Sequence, residues 1–123
     1  MSYKDFTEMP VWKAALELLV RVYEVTSEFP QEEKIGMTSD MRRAANSVTH
    51  NIAEGFGRFG NRDKTRFYKI SRGSCYELMS QTIASYRLGF IKQETVKEEL
   101  LKRSRSIIDE LNAINKTLES SLT

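Results

Sequence analysis

The chain has 123 residues, of which 40% are hydrophobic and 29% charged, and these values predict a single domain, residues 1–123, with one buried core. No apolar run approaches the ~18 residues of a membrane-spanning helix, and the polar N-terminal segment is not typical of a signal peptide. The one cysteine excludes an intramolecular disulfide and suits a reducing compartment, so we expect a cytoplasmic protein.

The first helix is predicted between the two prolines of the chain. Pro10 suits a first helical turn, where its missing N–H is not needed, and Pro30 ends the segment after Phe29. Apolar residues at steps of three and four predict the buried stripe of this helix, which consists of Trp12, Ala15, Leu16, Leu19, Tyr23, Thr26 and Phe29.

A second helix is predicted after a charged linker, with Thr38 or Ser39 as its N-terminal cap. Small residues dominate its buried face and let a neighbouring helix approach closely; the face consists of Met41, Ala44, Ala45, Val48, Ile52 and Gly55. The glycine-rich segment Gly55–Gly60 then ends it. Three glycines at this spacing also occur in dinucleotide-binding loops, but those loops follow a strand, whereas this segment follows a helix. We therefore predict a corner between two antiparallel helices.

The third helix is predicted from a cap at Asn61 to Gly89, and it carries two stripes. The first has the near-heptad spacing of a bundle core and consists of Phe67, Ile70, Ser74, Leu78, Gln81, Ser85 and Leu88. The second lies roughly 100° around the helix and consists of Tyr68, Cys75, Met79, Thr82 and Tyr86. Because a bundle helix needs one buried face, the second stripe predicts contact with another subunit. The alternative is one wide core stripe whose tyrosine hydroxyls reach water.

The fourth helix is predicted from about Thr95 to Ser120. Its apolar residues repeat in steps of three and four: Val96, Leu100, Ser104, Ile107, Leu111, Ile114 and Leu118. Such sustained spacing predicts near-parallel packing at about 20°. With short connections, the four segments predict an all-α fold, an antiparallel up-down-up-down four-helix bundle.

Positive charge is concentrated in the middle of the sequence, although the formal net charge is only +2. Residues 42–72 contain eight basic and two acidic side chains. The basic ones are Arg42, Arg43, Arg58, Arg62, Lys64, Arg66, Lys69 and Arg72. Phe59, Phe67 and Tyr68 lie among them, a pattern typical of phosphate contacts combined with base stacking. A solvated helix face is the alternative, and an oligomer would favour binding because it would copy the patch around an axis.

Polar residues form one stripe along the second helix, at steps of three and four: Arg43, Ser47, Asn51, Glu54 and Arg58. Two interpretations stay open. The stripe is either a solvated face with pairing between successive turns or a partly buried hydrogen-bond network at a subunit or helix contact.

Residues suited to catalysis are sparse. His50 is the sole histidine and Cys75 the sole cysteine, and neither has a companion at the spacing of a zinc site or a catalytic triad. We expect His50 at the surface or an interface and Cys75 as a small apolar filler. We also expect no enzymatic activity, no cofactor and no metal site.

Three short motifs are specific enough to indicate a family: Arg42-Arg43-Ala44-Ala45, Asn51-Ile52-Ala53-Glu54-Gly55, and Gly73-Ser74 followed by Glu77-Leu78. They resemble a bacterial family called the four helix bundle protein family, the S23 ribosomal protein family or the 23S rRNA-intervening-sequence protein family. The resemblance covers nearly the whole chain and implies an antiparallel four-helix bundle that assembles as a barrel-shaped pentamer. A similar protein, the accessory variability determinant of diversity-generating retroelements, looks like a basic pentameric barrel that binds nucleic acid and a reverse transcriptase.

The leading hypothesis is a non-enzymatic homo-oligomer that contacts the phosphates of RNA or structured DNA through the eight basic residues. The alternative is an interaction adaptor whose basic barrel docks an acidic protein partner. Structural or interface roles are expected for Ser47, Asn51, Glu54, Tyr68, Ser74, Glu77, Met79 and Tyr86.

Overall fold

The computed structural model describes residues 2–121, which form four long helices joined by short connections. Each helix packs against the next one in the chain, and the first also packs against the fourth. This arrangement confirms the predicted up-and-down four-helix bundle. Within residues 2–121, no helix is both long enough and apolar enough to cross a membrane. The helices are α1 (Pro10–Thr26), α2 (Met37–Phe56), α3 (Asn61–Arg87) and α4 (Glu94–Ser120), and short 3-10 turns occupy Phe6–Glu8 and Gln31–Glu33.

The cap of α2 differs from the prediction. The Glu33 carboxylate accepts a hydrogen bond from the backbone N–H of Met37 at 3.0 Å. A side chain of the preceding turn therefore pairs one of the N–H groups that the start of a helix leaves open. Thr38 and Ser39, the predicted caps of α2, lie inside its first turn instead.

The ends of α3 and α4 are joined by a side-chain hydrogen bond. Asn61 is the first residue of α3 rather than its cap, and its amide donates to the hydroxyl of Ser121 at 2.6 Å. The two helices are therefore linked where α3 begins and α4 ends. At the other end of α3, Gly89 has a φ of 85°, a left-handed conformation that glycine adopts at little cost, and it stops the helix as predicted.

The core contains the predicted faces of α2 and α4 but only part of the predicted face of the first helix, of which Ala15, Thr26 and Phe29 are buried. The predicted stripe of α1 is displaced because its apolar residues extend around most of the helix, so two overlapping stripes satisfy the same spacing. Trp12, Leu16 and Leu19 are only half-buried, and Tyr23 is 42% exposed. The residues of α1 that are buried are Val11, Ala15, Leu18, Val22, Val25 and Thr26.

The second stripe of α3, for which contact with another subunit is predicted, lies in the core of this chain. Tyr68, Cys75 and Thr82 are buried, and Met79 and Tyr86 pack against the core while partly buried. For these five residues the alternative interpretation, a core stripe, is correct. This second stripe consequently gives no support to an oligomer.

Two residues of the predicted core stripe of α3 are at the surface. Ile70 and Leu88 are 43% and 61% exposed. Ser71, the neighbour of Ile70, is buried instead, and its hydroxyl donates to the Val48 carbonyl of α2 at 2.8 Å. Because this residue is small and hydrogen-bonded, α3 lies close to α2.

Candidate nucleic-acid interface

The glycine-rich segment forms the predicted corner between α2 and α3. Lys64, from the first turns of α3, closes the end of α2. Its ammonium donates to the Phe56 carbonyl at 2.7 Å and to the Gly55 carbonyl at 3.4 Å, in the last turn of a helix, where C=O groups lack partners within the helix. Burial lowers the pKa of Lys64. Lys64 is therefore positioned as a helix cap rather than as the surface phosphate ligand that the sequence predicted.

Three arginines lie at this corner, and one aromatic ring contacts two of them. Arg58 follows the end of α2, and Arg62 and Arg66 lie one turn apart at the start of α3. The guanidinium carbons of Arg58 and Arg66 each lie 4.6 Å from the centroid of the Phe67 ring. Contacts of this kind hold flexible cations over an aromatic face. We call Arg58, Arg62 and Arg66 the arginine corner.

The carboxylates near the arginine corner neutralise it only weakly. Arg58 lies 3.4 Å from Glu54, and Arg66 lies 3.5 Å from Asp63. Both distances exceed the ~2.7–2.9 Å of a charge-assisted hydrogen bond. The side chains of Arg58 and Arg66 are 42% and 60% exposed, and exposed pairs contribute only about 0–1 kcal/mol. Arg62 is exposed and has no side-chain partner within residues 2–121.

Phe59 lies at the tip of the corner, between Arg58 and Arg62 in the chain. Its relative exposure is 104%, the largest of any apolar side chain in the described part of the protein. This aromatic ring, which the fold leaves entirely in water, directly follows Arg58 in the chain and precedes Arg62 by three residues.

Arg42 and Arg43 do not join the arginine corner. Arg42 packs against α1, where its Nε donates to the Thr26 hydroxyl at 2.9 Å and its guanidinium lies 4.4 Å from the centroid of the Tyr23 ring. Arg43 is exposed and pairs with Asp40 of its own helix at 3.0 Å. These contacts place Arg42 in a contact between helices and Arg43 in a surface ion pair.

Lys69 and Arg72 bind α3 to α4. The Lys69 ammonium lies 2.8 Å from the Glu119 carboxylate, and Arg72 donates to the Asn112 amide oxygen at 2.7 Å. The eight predicted basic residues therefore do not form one surface. Three of them make the arginine corner, and five hold helices together or pair with a neighbour.

A seam of polar side chains fixes α2 against α3 above the corner. The hydroxyls of Ser47 and Ser74 lie 2.7 Å apart. The Asn51 amide donates to the Ser47 carbonyl at 2.8 Å and to the Ser47 hydroxyl at 3.0 Å. For these residues the structure shows a partly buried network at a helix contact, one of the two interpretations of the polar stripe. Glu54 continues the stripe as the partner of Arg58, and Glu77 is exposed.

The residues considered for catalysis are far from a reactive arrangement. His50 is exposed and lies 3.9 Å from Glu54. Cys75 is fully buried, and burial raises the pKa of its thiol to about 12, so it stays protonated at neutral pH. Within residues 2–121, no group of three or more histidine, cysteine, aspartate or glutamate side chains is placed to hold a metal ion.

The fold and its corner define a four-helix-bundle protein with a small cationic surface at one end. The pattern of the family described as the 23S rRNA-intervening sequence protein matches residues 7–113. The chain belongs to this family. No curated protein matches the sequence.

One solved structure with a similar fold is a protein of unknown function from the S23 ribosomal protein family of Bacteroides thetaiotaomicron. The two share 23% sequence identity with a TM-score of 0.79, and the match covers 86% of this chain and 98% of the other. At this identity the likeness shows the four-helix fold alone.

Proposed function

We propose that this protein binds nucleic acid through phosphate contacts at the arginine corner. The observation that carries the proposal is the Phe67 ring, which contacts the guanidinium groups of both Arg58 and Arg66, one turn from the exposed and unpartnered Arg62. Guanidinium groups match the geometry of phosphate oxygens and bind them through paired hydrogen bonds. The weakly paired Glu54 and Asp63 can be displaced by phosphates at little cost, since such exposed pairs are screened by water.

Three arginines give binding of a particular kind. Contacts to phosphates are independent of sequence and weaken as salt rises, because bound cations release counterions from the nucleic acid. A single corner therefore predicts modest affinity with little sequence preference. The family description refers to 23S rRNA, which makes RNA the first probe.

We also propose that the protein forms a homo-oligomer, a pentamer, as the family resemblance implies. Repeated corners on one assembly would act as linked binding sites, and linkage raises overall affinity without any new contact. The mass of the protein in solution tests this part of the proposal, and a monomeric mass at all working concentrations would contradict it.

Reversing the charge of Arg62 tests the proposed interface directly. We expect Arg62→Glu to weaken RNA binding about tenfold, because one favourable phosphate contact of about 1 kcal/mol is replaced by a repulsive one. Fluorescence anisotropy with labelled RNA measures the change. Arg105→Glu is the matched control, since Arg105 is an exposed arginine on α4, and it should alter the affinity less than about twofold.

The two variants also separate the proposal from its rival. Equal losses for Arg62→Glu and Arg105→Glu would mean that total charge, and not the arginine corner, determines binding. The adaptor hypothesis would be favoured instead by two results together: this protein shows no affinity for RNA, and a protein partner stays bound to it after nuclease digestion.

A further inference from the structure

We infer that the arginine corner takes unpaired nucleotides, with a base stacked on the exposed ring of Phe59. The inference rests on the proposed function and specifies its ligand: single-stranded nucleic acid rather than a duplex. Phe59 lies outside both helices, in the connection between Phe56 and Asn61, and its relative exposure is 104%.

The exposure of Phe59 is unusual for this chain. The other phenylalanines all lie against the protein: Phe6, Phe29, Phe56, Phe67 and Phe90 are buried or partly buried. Leaving a large apolar side chain in water forgoes the stabilisation that burial would provide. An exposed ring at the tip of a corner is free to meet a flat partner on its face.

The charges around Phe59 indicate what that partner is. Arg58 and Arg62 flank it in the chain, and Arg66 lies one turn beyond Arg62. Aromatic rings with adjacent cations are the arrangement used for single strands, in which bases stack while the backbone follows positive charge. In a duplex the bases are already stacked and paired, so the ring of Phe59 has no base face to contact.

The Lys64 cap and the Phe67 contacts hold this arrangement in place. Lys64 ties the start of α3 to the last carbonyls of α2, and the Phe67 ring contacts the guanidinium groups of Arg58 and Arg66. Phe59 therefore projects from a corner with fixed helix ends. Fixed helix ends limit the positions that the ring can take, which lowers the entropic cost of binding a base.

The test compares single-stranded and double-stranded probes. Anisotropy is measured with labelled oligouridine, oligothymidine and a fully paired RNA duplex, for the wild type, Phe59→Ala and Phe59→Trp. We expect Phe59→Ala to weaken single-strand binding about tenfold, equivalent to about 1.4 kcal/mol and within the range for base–aromatic stacking. Phe59→Trp should keep the single-strand affinity of the wild type, and neither substitution should change the affinity for the duplex. The oligothymidine arm distinguishes DNA from RNA as the source of the unpaired base, and a loss on either single strand supports the inference.

Ile35→Ala is the matched control, since Ile35 is an apolar side chain that is 91% exposed at the α1–α2 connection, the opposite end of the bundle. Equal effects of Phe59→Ala and Ile35→Ala, or equal losses on single strands and duplex, would overturn the stacking inference. If Arg62→Glu weakens binding while Phe59→Ala does not, the proposed function stands and the inference fails. If neither variant affects binding, both fail.

Discussion

Replacing Leu111 with aspartate is expected to remove a large part of the protein's free energy of unfolding. Leu111 is fully buried in α4, where it packs into the core formed by all four helices. A carboxylate at this position would be buried among apolar side chains, and the apolar contacts of leucine are lost as well. We expect a loss of at least about 4 kcal/mol, which approaches the 5–15 kcal/mol stability of a typical domain. Urea denaturation followed by circular dichroism measures it.

Ala113→Asp is the control that measures the effect of aspartate on helix propensity without its burial. Ala113 lies on the exposed side of α4, so the aspartate there stays in water. We expect it to cost only about 0.5–0.7 kcal/mol, the difference in helix propensity. Similar denaturation curves for Leu111→Asp and the wild type would mean that α4 presents a different face to the core.

A second large effect is expected at Gly55, where α2 packs tightly against α3. A Cβ atom added at Gly55 would lie 2.6 Å and 2.9 Å from two ring atoms of Tyr68 and 3.2 Å from the Cβ of Phe67. The Tyr68 ring is buried, with 3% exposure, and burial raises its pKa to about 12. Because the ring cannot move into open space, we expect Gly55→Ala to destabilise the protein by about 1–3 kcal/mol.

Gly73→Ala is the matched glycine substitution. Gly73 is within α3, and an added Cβ there meets nothing within 4 Å. Alanine should therefore stabilise the helix by about 0.5–1 kcal/mol. In a Tyr68→Leu background the cost of Gly55→Ala should shrink. A Gly55→Ala protein as stable as Gly73→Ala would contradict the close packing of α2 on α3.

The helices themselves were predictable because apolar spacing records which side of a helix is buried. On α2, small residues at steps of three and four identify the buried face correctly, from Met41 to Gly55. On α1 the same rule fails because the spacing is not unique there: Trp12 and Leu16 fit one stripe, and Val11 and Leu18 fit another. Only contact with the other three helices decides between them.

The residue types of the site were predictable from the sequence, but the contacts that each basic side chain makes were not. The sequence locates positive charge in residues 42–72, and the i,i+4 spacing of Arg62 and Arg66 places them on one side of α3. It does not reveal that Lys69 and Arg72 contact α4, because their partners are distant in the chain. The role of Phe67 was missed for the same reason, since its contact with Arg58 crosses the corner.

The dependence of RNA affinity on salt tests the central claim most directly. The logarithm of the affinity is measured against the logarithm of the salt concentration for the wild type and for a variant with glutamine at positions 58, 62 and 66. For single strands each phosphate contact contributes a slope of about −0.7, so loss of the arginine corner should make the slope shallower by about two. Identical slopes for the two proteins would show that Arg58, Arg62 and Arg66 do not contact phosphates.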